Sequence, residues 1–492
     1  MKIIDTSLSK PEDLSPFERE MVYNGLDCCV TAEVLDALLP QLDHHTARTY
    51  EFSKALQGPA LEMRLRGCLV DQHRRAQVID DCYTKIETLE AQLERIVYEG
   101  VGMPSFNWKA PKDLQALFFD HLGIPPPRGK RSANRNVLEK LDEYIIARQI
   151  VRHITTMKDL FEQVKFLKAE LDPDGRMRTS YNIAGTSTGR FSSSYSEFGT
   201  GRNLQNVEES LRSIFIADPG MKFAKFDAKQ IQSRLVGAVE WNELGDGKYL
   251  DTCESEDLHT LVAKMMWPDL GWTGDIKHDK DLAETPYYRH YTYRFMCKKL
   301  GHGSNFNGKP DTLAAQSKIP LQLVREFQPR YFKAFPAHLG YHDWIENQIR
   351  RTGTIISVTG RKRQFWGRRT DQEVYREANA YPPQADESYL VGQAMLNVWK
   401  ARDAVLMFHD HDALTVQYPE ASEDTIIPKL LKQLEHPIQL KHGRTLLIPY
   451  DCKVGWNKGD YSKDNKDGLQ DYTGHDERKR TPTLSILDRK LR

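Results

Sequence analysis

Two segments of this chain carry carboxylates where folding alone would not put them. In MKFAKFDAKQIQSR, apolar residues alternate through Met221, Phe223 and Phe226 and then meet Asp227, after which Ile231, Leu235, Val236 and Val239 follow a helical spacing. An acid at a strand end, just ahead of a helix, stands at a sheet edge that a ligand can approach. The same segment reads equally well as Asp227 capping the helix, since Asp is a favoured N-cap. In AVLMFHDHDALTVQY an apolar strand breaks on His409, Asp410, His411 and Asp412 before a second strand begins. A hairpin turn needed only for folding favours Asn-Gly or Asp-Gly instead. Two acids from separate strands of one sheet could hold two divalent cations ~3.5–4 Å apart, an arrangement that serves in-line displacement at phosphorus. A histidine-rich zinc site is the competing metal reading, and suitably spaced Cys or His partners for it are lacking.

A third segment, YRFMCKKLGHGSNFNG, repeats Arg294, Lys298, His302 and Phe306 every four residues. On a helix of ~3.6 residues per turn the four stay within about 120° of arc. Two cations, an imidazole and an aromatic suit a nucleoside triphosphate, with phosphates at the Arg/Lys end and the base toward the aromatic. The plainer reading is a solvated basic face. Gly301 and Gly303 weigh against it, since each costs ~1 kcal/mol relative to Ala in a helix; they suit a place where a base approaches the backbone or the helix flexes.

The elements that must position these groups follow from patterning. Residues 1–45 read as a short helical piece, and 46–171 as mostly helix, with stripes such as LEAQLERIVYEG and FEQVKFLKAEL around the loop GIPPPRGKRSANRN. Short strands and turns occupy 172–241, helices with polar connections 242–400, and the hairpin run AVLMFHDHDALTVQY follows. The polar, mixed-charge stretch 461–492 reads as a flexible tail. A length of 492 residues suggests roughly three domain-sized units. With 69 Lys and Arg against 69 Asp and Glu the formal net charge is zero, so a polyanionic partner would need a local basic groove. No apolar run is long enough to span a bilayer, and MKIIDTSLSK lacks the apolar stretch of a signal peptide. The seven cysteines have no CxxC spacing and read as reduced thiols of a cytosolic protein.

From about Phe106 to Gly459 the chain resembles the family A, or DNA polymerase I-like, DNA polymerases. DAKQIQSR resembles the family's first palm motif, DYSQIELR, which gives Asp227 the metal-binding position and Gln230 and Gln232 positions that face the nucleotide. RFMCKKLGHGSNFNG resembles the fingers motif RxxxKxxxFGxxYG, so Arg294 and Lys298 take the triphosphate contacts, His302 the aromatic facing the incoming nucleotide, and Phe306 the tyrosine beside the templating pair. HDALTV resembles the second palm motif, HDE, making Asp412 the other metal ligand and His411 a primer-terminus contact. TSTGRFSS resembles TATGRLSS, with Arg190 at the primer-template minor groove; NLQN, with Asn206, matches as it stands. DLHTLVA places His259 on a phosphate, TGTIISVTGRKR resembles GYVETLDGRR, and DCKVGWNKG resembles the usual palm ending. NAYPPQADE resembles NAPMQGTAAD with one extra residue, pointing to Asn379 and Gln384 as template and minor-groove contacts.

The resemblance implies an α+β right-hand fold, with helical thumb (46–171), a β-sheet palm (172–241 and 391–460) and helical fingers (242–390). It implies template-directed addition of dNTPs to a primer 3′-hydroxyl with two Mg2+ ions, for which Mn2+ can substitute, on primer-template DNA and away from any membrane. Gln232 and Ala413 stand where the family has glutamates, so metal binding rests on Asp227, Asp412 and a backbone carbonyl, that of Ala228. The repeated HDHD leaves Asp410 as the alternative to Asp412. A single-subunit RNA polymerase and a non-catalytic DNA-binding subunit are the rival readings. HGSNF in the fingers motif resembles bacteriophage enzymes, which implies genome replication in the cytoplasm of an infected bacterium. YNGLDCCVT, with Tyr23 and Asp27, resembles the last motif of 3′–5′ proofreading exonucleases without the earlier carboxylates. Residues 1–45 are therefore expected to be an exonuclease remnant packed against the palm, without proofreading on its own, or a piece completing the site of a separately encoded exonuclease chain. A processivity factor is a further expected partner.

Overall fold

The computed structural model describes residues 11–474 except Glu256 and Arg289, together with Arg478. The alternating segment Met221–Ala228 forms the central strand of a five-stranded antiparallel sheet. On one side it pairs with Ala413–Pro419, which continues through a two-residue turn to the edge strand Val405–Asp410; on the other it pairs with Tyr450–Gly455 and then Gln470–Asp471. The expected hairpin is present, and its turn consists of His411 and Asp412 alone. Phe223, Ala224, Phe226, Phe408, Leu414, Val416 and Val454 are fully buried, which fixes the register, since a slip of one residue would turn every side chain to the other face.

The described residues divide into two compact units, one built on 57–237, 250–256 and 387–492, the other on 1–56, 238–249 and 257–386. The first unit contains the sheet. Its helices Gln72–Arg95 and Ile145–Leu167 bury Ile86 and Leu93 from one, and Ile150, Val151, Ile154, Met157, Val164 and Leu167 from the other, as their apolar spacing demands. A satellite core forms where Trp108, Leu117, Phe118, Ile124 and Leu138 join them. Residues 46–171 also contribute one strand, Cys68–Val70, paired with Arg176–Met177 and Phe215–Ile216; three residues are too short for a period to show in the sequence. The second unit is mainly helical. It also holds a hairpin, Thr354–Ile356 with Lys362–Gln364, inside a stretch read as helix and connection.

Two expectations change. Tyr461–Asp471 is not a loose tail: Leu469 is buried, Gln470 pairs with Val454, and Asp471 pairs with Lys453. The polar residues there hide a turn held by Asn457 and Asn465, which exchange side-chain hydrogen bonds of 2.7 and 3.0 Å. Residues 475–477 and 479–492 of that tail lie outside the described residues, as do residues 1–10. The helix Pro16–Leu38, started by a Ser15/Glu18 capping box, buries none of its residues. Finally, Asp227 does not cap the following helix: it lies within the strand, and the helix begins at Ile231.

Phe408 is the hinge of the sheet's packing. Its ring meets Phe215 and Phe223 edge-on at 6.0 and 6.2 Å, and the Lys458 ammonium sits 3.7 Å from its centroid. Phe408→Ala should therefore cost about 3–5 kcal/mol, the usual range for emptying a buried phenylalanine site. Chemical denaturation should show a lower midpoint with an unchanged slope; a midpoint like the parent's would refute this packing role.

Candidate active site

Within the sheet-bearing unit, the carboxylates gather at one end of three adjacent strands. Asp227 is opposite Ala413 on one neighbour and Asp451 on the other. The Ala228 amide donates to the Asp412 carbonyl at 3.0 Å, which ties the end of the central strand to the hairpin turn. The turn is strained: His411 has φ +59°, a left-handed conformation that a non-glycine residue adopts at a cost of ~1–3 kcal/mol. Gln230, just after the strand, has φ +53°. The His411 Nδ1 and Gln230 Oε1 atoms are buried and unpartnered among the described residues, so polar groups at this end await something to bind.

The electrostatics favour a cation. Burial and then the charge of Asp412 raise Asp227 above the ordinary aspartate range, Asp451 adds to the rise, and Lys225, 3.7 Å away, opposes it. Lys229 is engaged by Asp451 at 3.2 Å. Asp410 faces differently: its Oδ1 accepts a hydrogen bond from the buried Lys458 at 2.9 Å. Of the two acids in HDHD, then, Asp410 has a fixed cationic partner and Asp412 bears on Asp227. His409 is buried, stacked on Phe191 at 4.5 Å, and held down to about 4 chiefly by burial, so it is neutral at pH 7.

Sequence reasoning missed Glu387. It is 1% exposed, accepts from Arg190 Nε at 2.8 Å and lies 3.2 Å from the Gln232 amide nitrogen. Burial raises its pKa, the Arg190 and Gln232 contacts oppose that rise, and Asp412 adds to it. One buried carboxylate thus holds two of the expected site residues. Its signal was present in ADESYLVGQAM, where two adjacent acids enter an otherwise apolar helix. Tyr450, opposite Ala228, is kept protonated by burial and by the charges of Asp227 and Glu387. Asn206 is exposed.

In the other unit, the Arg294–Phe306 segment is one helical run with a π turn at Cys297–Gly301 between α-helical ends. Steps of four overshoot an α turn and undershoot the wider π turn, so the two offsets oppose each other along the stripe. Lys298 and His302 are exposed, and the Phe306 ring meets the His302 ring edge-on at 4.9 Å. Arg294 is not a free cation: Asp257 receives it at 2.9 and 3.3 Å and Glu284 at 3.2 Å. His259 is lowered to about 4 by burial first, with Asp257 opposing and Arg294, Lys298 and His302 adding to the fall. Gly303 has a packing reason: a Cβ there would lie 2.3 Å from Leu313. Asn379 is 1% exposed, its amide donating to the Tyr375 carbonyl at 2.7 Å, so the expected template contact is not available to it in this conformation. Gln384 is half-buried.

A model of DNA polymerase family A matches residues 76–461, and the chain belongs to that family. It is 26% identical to "DNA polymerase I, thermostable" of Thermus aquaticus over 80% of this chain and 47% of that protein. With DNA polymerase I of Chloroflexus aurantiacus the identity is 27%, over 89% of this chain and 46% of that protein. The chain thus spans a little under half the length of these relatives. Among solved structures, the POL domain of Pol1 from M. smegmatis, in complex with DNA primer-template and dNTP, matches with a TM-score of 0.65 and 22% identity, covering 82% of this chain and 69% of that one. The fold is therefore the α+β right-hand fold of these polymerases.

The repulsion at the sheet end has a testable sign. Because its folded pKa is raised, Asp227 binds its proton more tightly when folded, so its ionisation costs stability as pH rises through the carboxylate range. In the absence of divalent cations, Asp227→Asn should melt above the parent at pH 7, and the gap should close as the pH falls toward 4. Thermal scans across that range check it; equal melting at pH 7 would mean that the carboxylates do not strain one another.

Proposed function

We propose that this chain is a template-directed DNA polymerase that adds dNTPs to a primer 3′-hydroxyl. The observation that carries the reading is the convergence of Asp227 and Asp412 at one end of the central sheet, in a chain whose family is shown. Residues 46–171 act as thumb, 172–241 and 391–460 as palm, and 242–390 as fingers. The donors suit Mg2+, with Mn2+ as substitute: two carboxylates and the Ala228 carbonyl are hard oxygen ligands. Among the described residues no three His, Cys, Asp or Glu side chains form a metal-binding group, so the third ligand would be the Ala228 carbonyl. A divalent cation bound there would lower the pKa of the primer hydroxyl and stabilise charge on the phosphoryl oxygens.

The remaining roles belong to the chain's own groups. Lys298, exposed and without an ion pair among the described residues, is suited to the triphosphate. Arg294 joins it by exchanging Asp257 and Glu284 for phosphate. His259, neutral at pH 7, offers a hydrogen bond and not a charge. His302 and Phe306 face the base. His411 lies at the primer terminus. Gln230 and Gln232 take the sugar side of the nucleotide. Arg190 and Asn206 contact the duplex, with Gln384 a further contact; Arg190 is held for this by Glu387. Replication of a bacteriophage genome in the host cytoplasm is the proposed setting, and no helix of the described residues is long and apolar enough to cross a membrane.

Primer extension tests this reading. Asp227→Asn and Asp412→Asn should each lower the rate ~10³-fold or more while sparing primer-template binding. Loss of activity in Asp410→Asn with retention in Asp412→Asn would reverse the assignment of the second ligand.

Sugar selection is read from the same assay run with rNTPs. The Gln232 side chain is fixed by Glu387 and is bulky enough to oppose a 2′-hydroxyl, and Phe306 has no polar atom to help it. Gln232→Ala should raise ribonucleotide incorporation strongly and Phe306→Tyr only slightly. Equal ribonucleotide use by Gln232→Ala and the parent would rule out the steric role.

A further inference from the structure

The segment that carries His302 and Phe306 ends on a buried polar network that the proposed chemistry leaves unused, and every member of it belongs to the mainly helical unit. Phe306 itself is half-buried, and among the described residues its ring meets one other, that of His302. Its place therefore depends on the backbone beneath it. That backbone turns sharply. Asn307 is left-handed, with φ +57°, a conformation that asparagine tolerates. The amides of Asn307 and Gly308 return to the carbonyls of Ser304 and Gly303 at 3.1 and 2.9 Å.

Asn305, 1% exposed, is held at three points. Its side-chain oxygen accepts from the Tyr331 hydroxyl at 2.8 Å, its side-chain amide donates to the Tyr249 hydroxyl at 2.8 Å, and its carbonyl accepts from His342 Nε2 at 2.9 Å. That carbonyl belongs to the peptide bond leading into Phe306. A carbonyl can only accept, so His342 carries its proton on Nε2. The ring is lowered to about 4, first by burial and with the bond to Asn305 opposing, so it is neutral at pH 7. Alongside, Gln328 donates to the Ser304 hydroxyl at 3.1 Å and to the Gly308 carbonyl at 2.8 Å.

The Tyr331 hydroxyl is itself held from behind. His338 Nε2 lies 3.3 Å from it, and His338 Nδ1 bonds the Glu240 carboxylate. Glu240 and His338 are fully buried; burial raises Glu240, and the bond to His338 opposes that rise. The Tyr331 ring stacks on His338 at 5.2 Å and lies 3.4 Å from where a Cβ on Gly301 would stand. Helices Ile231–Leu244, Lys248–Glu254, Leu321–Ala334 and Ala337–Thr352 thus send polar groups that converge, directly or through Tyr331, on one residue. Burying such groups is costly unless they are bonded, and a bonded network fixes a single arrangement.

A half-buried aromatic ring on a backbone pinned by buried hydrogen bonds is set by those bonds. We propose that Asn305, with Tyr331 and His342 behind it, is a positioning residue that fixes the Phe306 ring for the base of the incoming nucleotide. The inference rests on the polymerase reading above and deepens it. Asn305, Tyr331 and His342 act through the Phe306 backbone and not by touching the nucleotide, so their loss weakens nucleotide binding without removing a reacting group.

Steady-state primer extension at varied dNTP concentration is the test. Tyr331→Phe removes one hydroxyl and keeps the ring. It should raise the dNTP KM about fivefold, the worth of one hydrogen bond, with kcat little changed, as when binding is lost equally from ground and transition states. In a Phe306→Ala background the same change should add nothing, because the residue it acts through is gone. Tyr375→Phe removes another buried hydroxyl of this unit, one that lies 3.0 Å from Arg350, and should leave the KM at the parent's. His342→Leu should act as Tyr331→Phe does, whereas His342→Gln, which keeps a donor, should stay close to the parent, so the answer does not hang on one variant folding. A parent-like KM in Tyr331→Phe and His342→Leu would overturn the proposal, and so would an equal rise with and without the Phe306 ring. Failure of the parent to extend any primer would instead refute the polymerase reading, so the two failures are distinguishable.

Discussion

Asp227, on the central strand, and Asp412, in the adjoining hairpin turn, reach the same end of the sheet, and their like charges oppose the fold that brings them there. Little nearby relieves that repulsion. Lys225 is 3.7 Å from Asp227, and Lys229 is occupied by Asp451. The sheet itself must hold the acids in place, and its register does so. Pairing of Asp227 opposite Ala413 and Asp451 is enforced by the buried residues Phe223, Phe226, Leu414 and Val416 around it. The left-handed His411 is part of the same arrangement: a two-residue turn with a non-glycine residue at positive φ stores strain beside the second acid. Hydrophobic packing along the strands thus supports the electrostatic strain beside it.

Glu387 shows how the chain accommodates the loss of acids that its family usually carries near this point. Gln232 is neutral where a glutamate is expected, yet a carboxylate stands 3.2 Å from its amide, supplied by a different helix. Burying that acid is tolerable because Arg190 compensates it, and an unpaired carboxylate at 1% exposure would be costly. The arrangement fixes the side chains of Arg190 and Gln232 together. A change at Glu387 would free both side chains at once.

What the sequence made legible was whatever has a period. The central strand, the hairpin around HDHD and the long amphipathic helices announce themselves by spacing of two or of 3.6, and each is present. Two-state features were also legible by departure from pattern: charge in a hairpin turn, glycines in a helix. Position in space was not. Asp410 and Asp412 differ by two residues and share a composition, and only the fold shows that Lys458, far along the chain, engages the first of them. The strand Cys68–Val70 and the strand Gln470–Asp471 are too short to carry a period, and polar residues around the latter suggested a tail where the side chains of Asn457 and Asn465 tie a turn. Gly303 suits a base's approach or a flexing helix by its type, and the fold adds a packing reason, room for Leu313, that no local pattern encodes.

The cationic helix illustrates why a residue's type does not settle its state. Arg294 and Lys298 are four residues apart and were read as one pair, but Arg294 is held by two carboxylates and Lys298 is open to solvent. Any anion reaching Arg294 would compete with Asp257 and Glu284, whereas Lys298 has no carboxylate to give up among the described residues. Asp257, which holds Arg294, also opposes the fall of His259 below its ordinary range. One carboxylate therefore serves both the ion pair and the histidine, and the three groups form a single electrostatic set that four-residue spacing does not reveal.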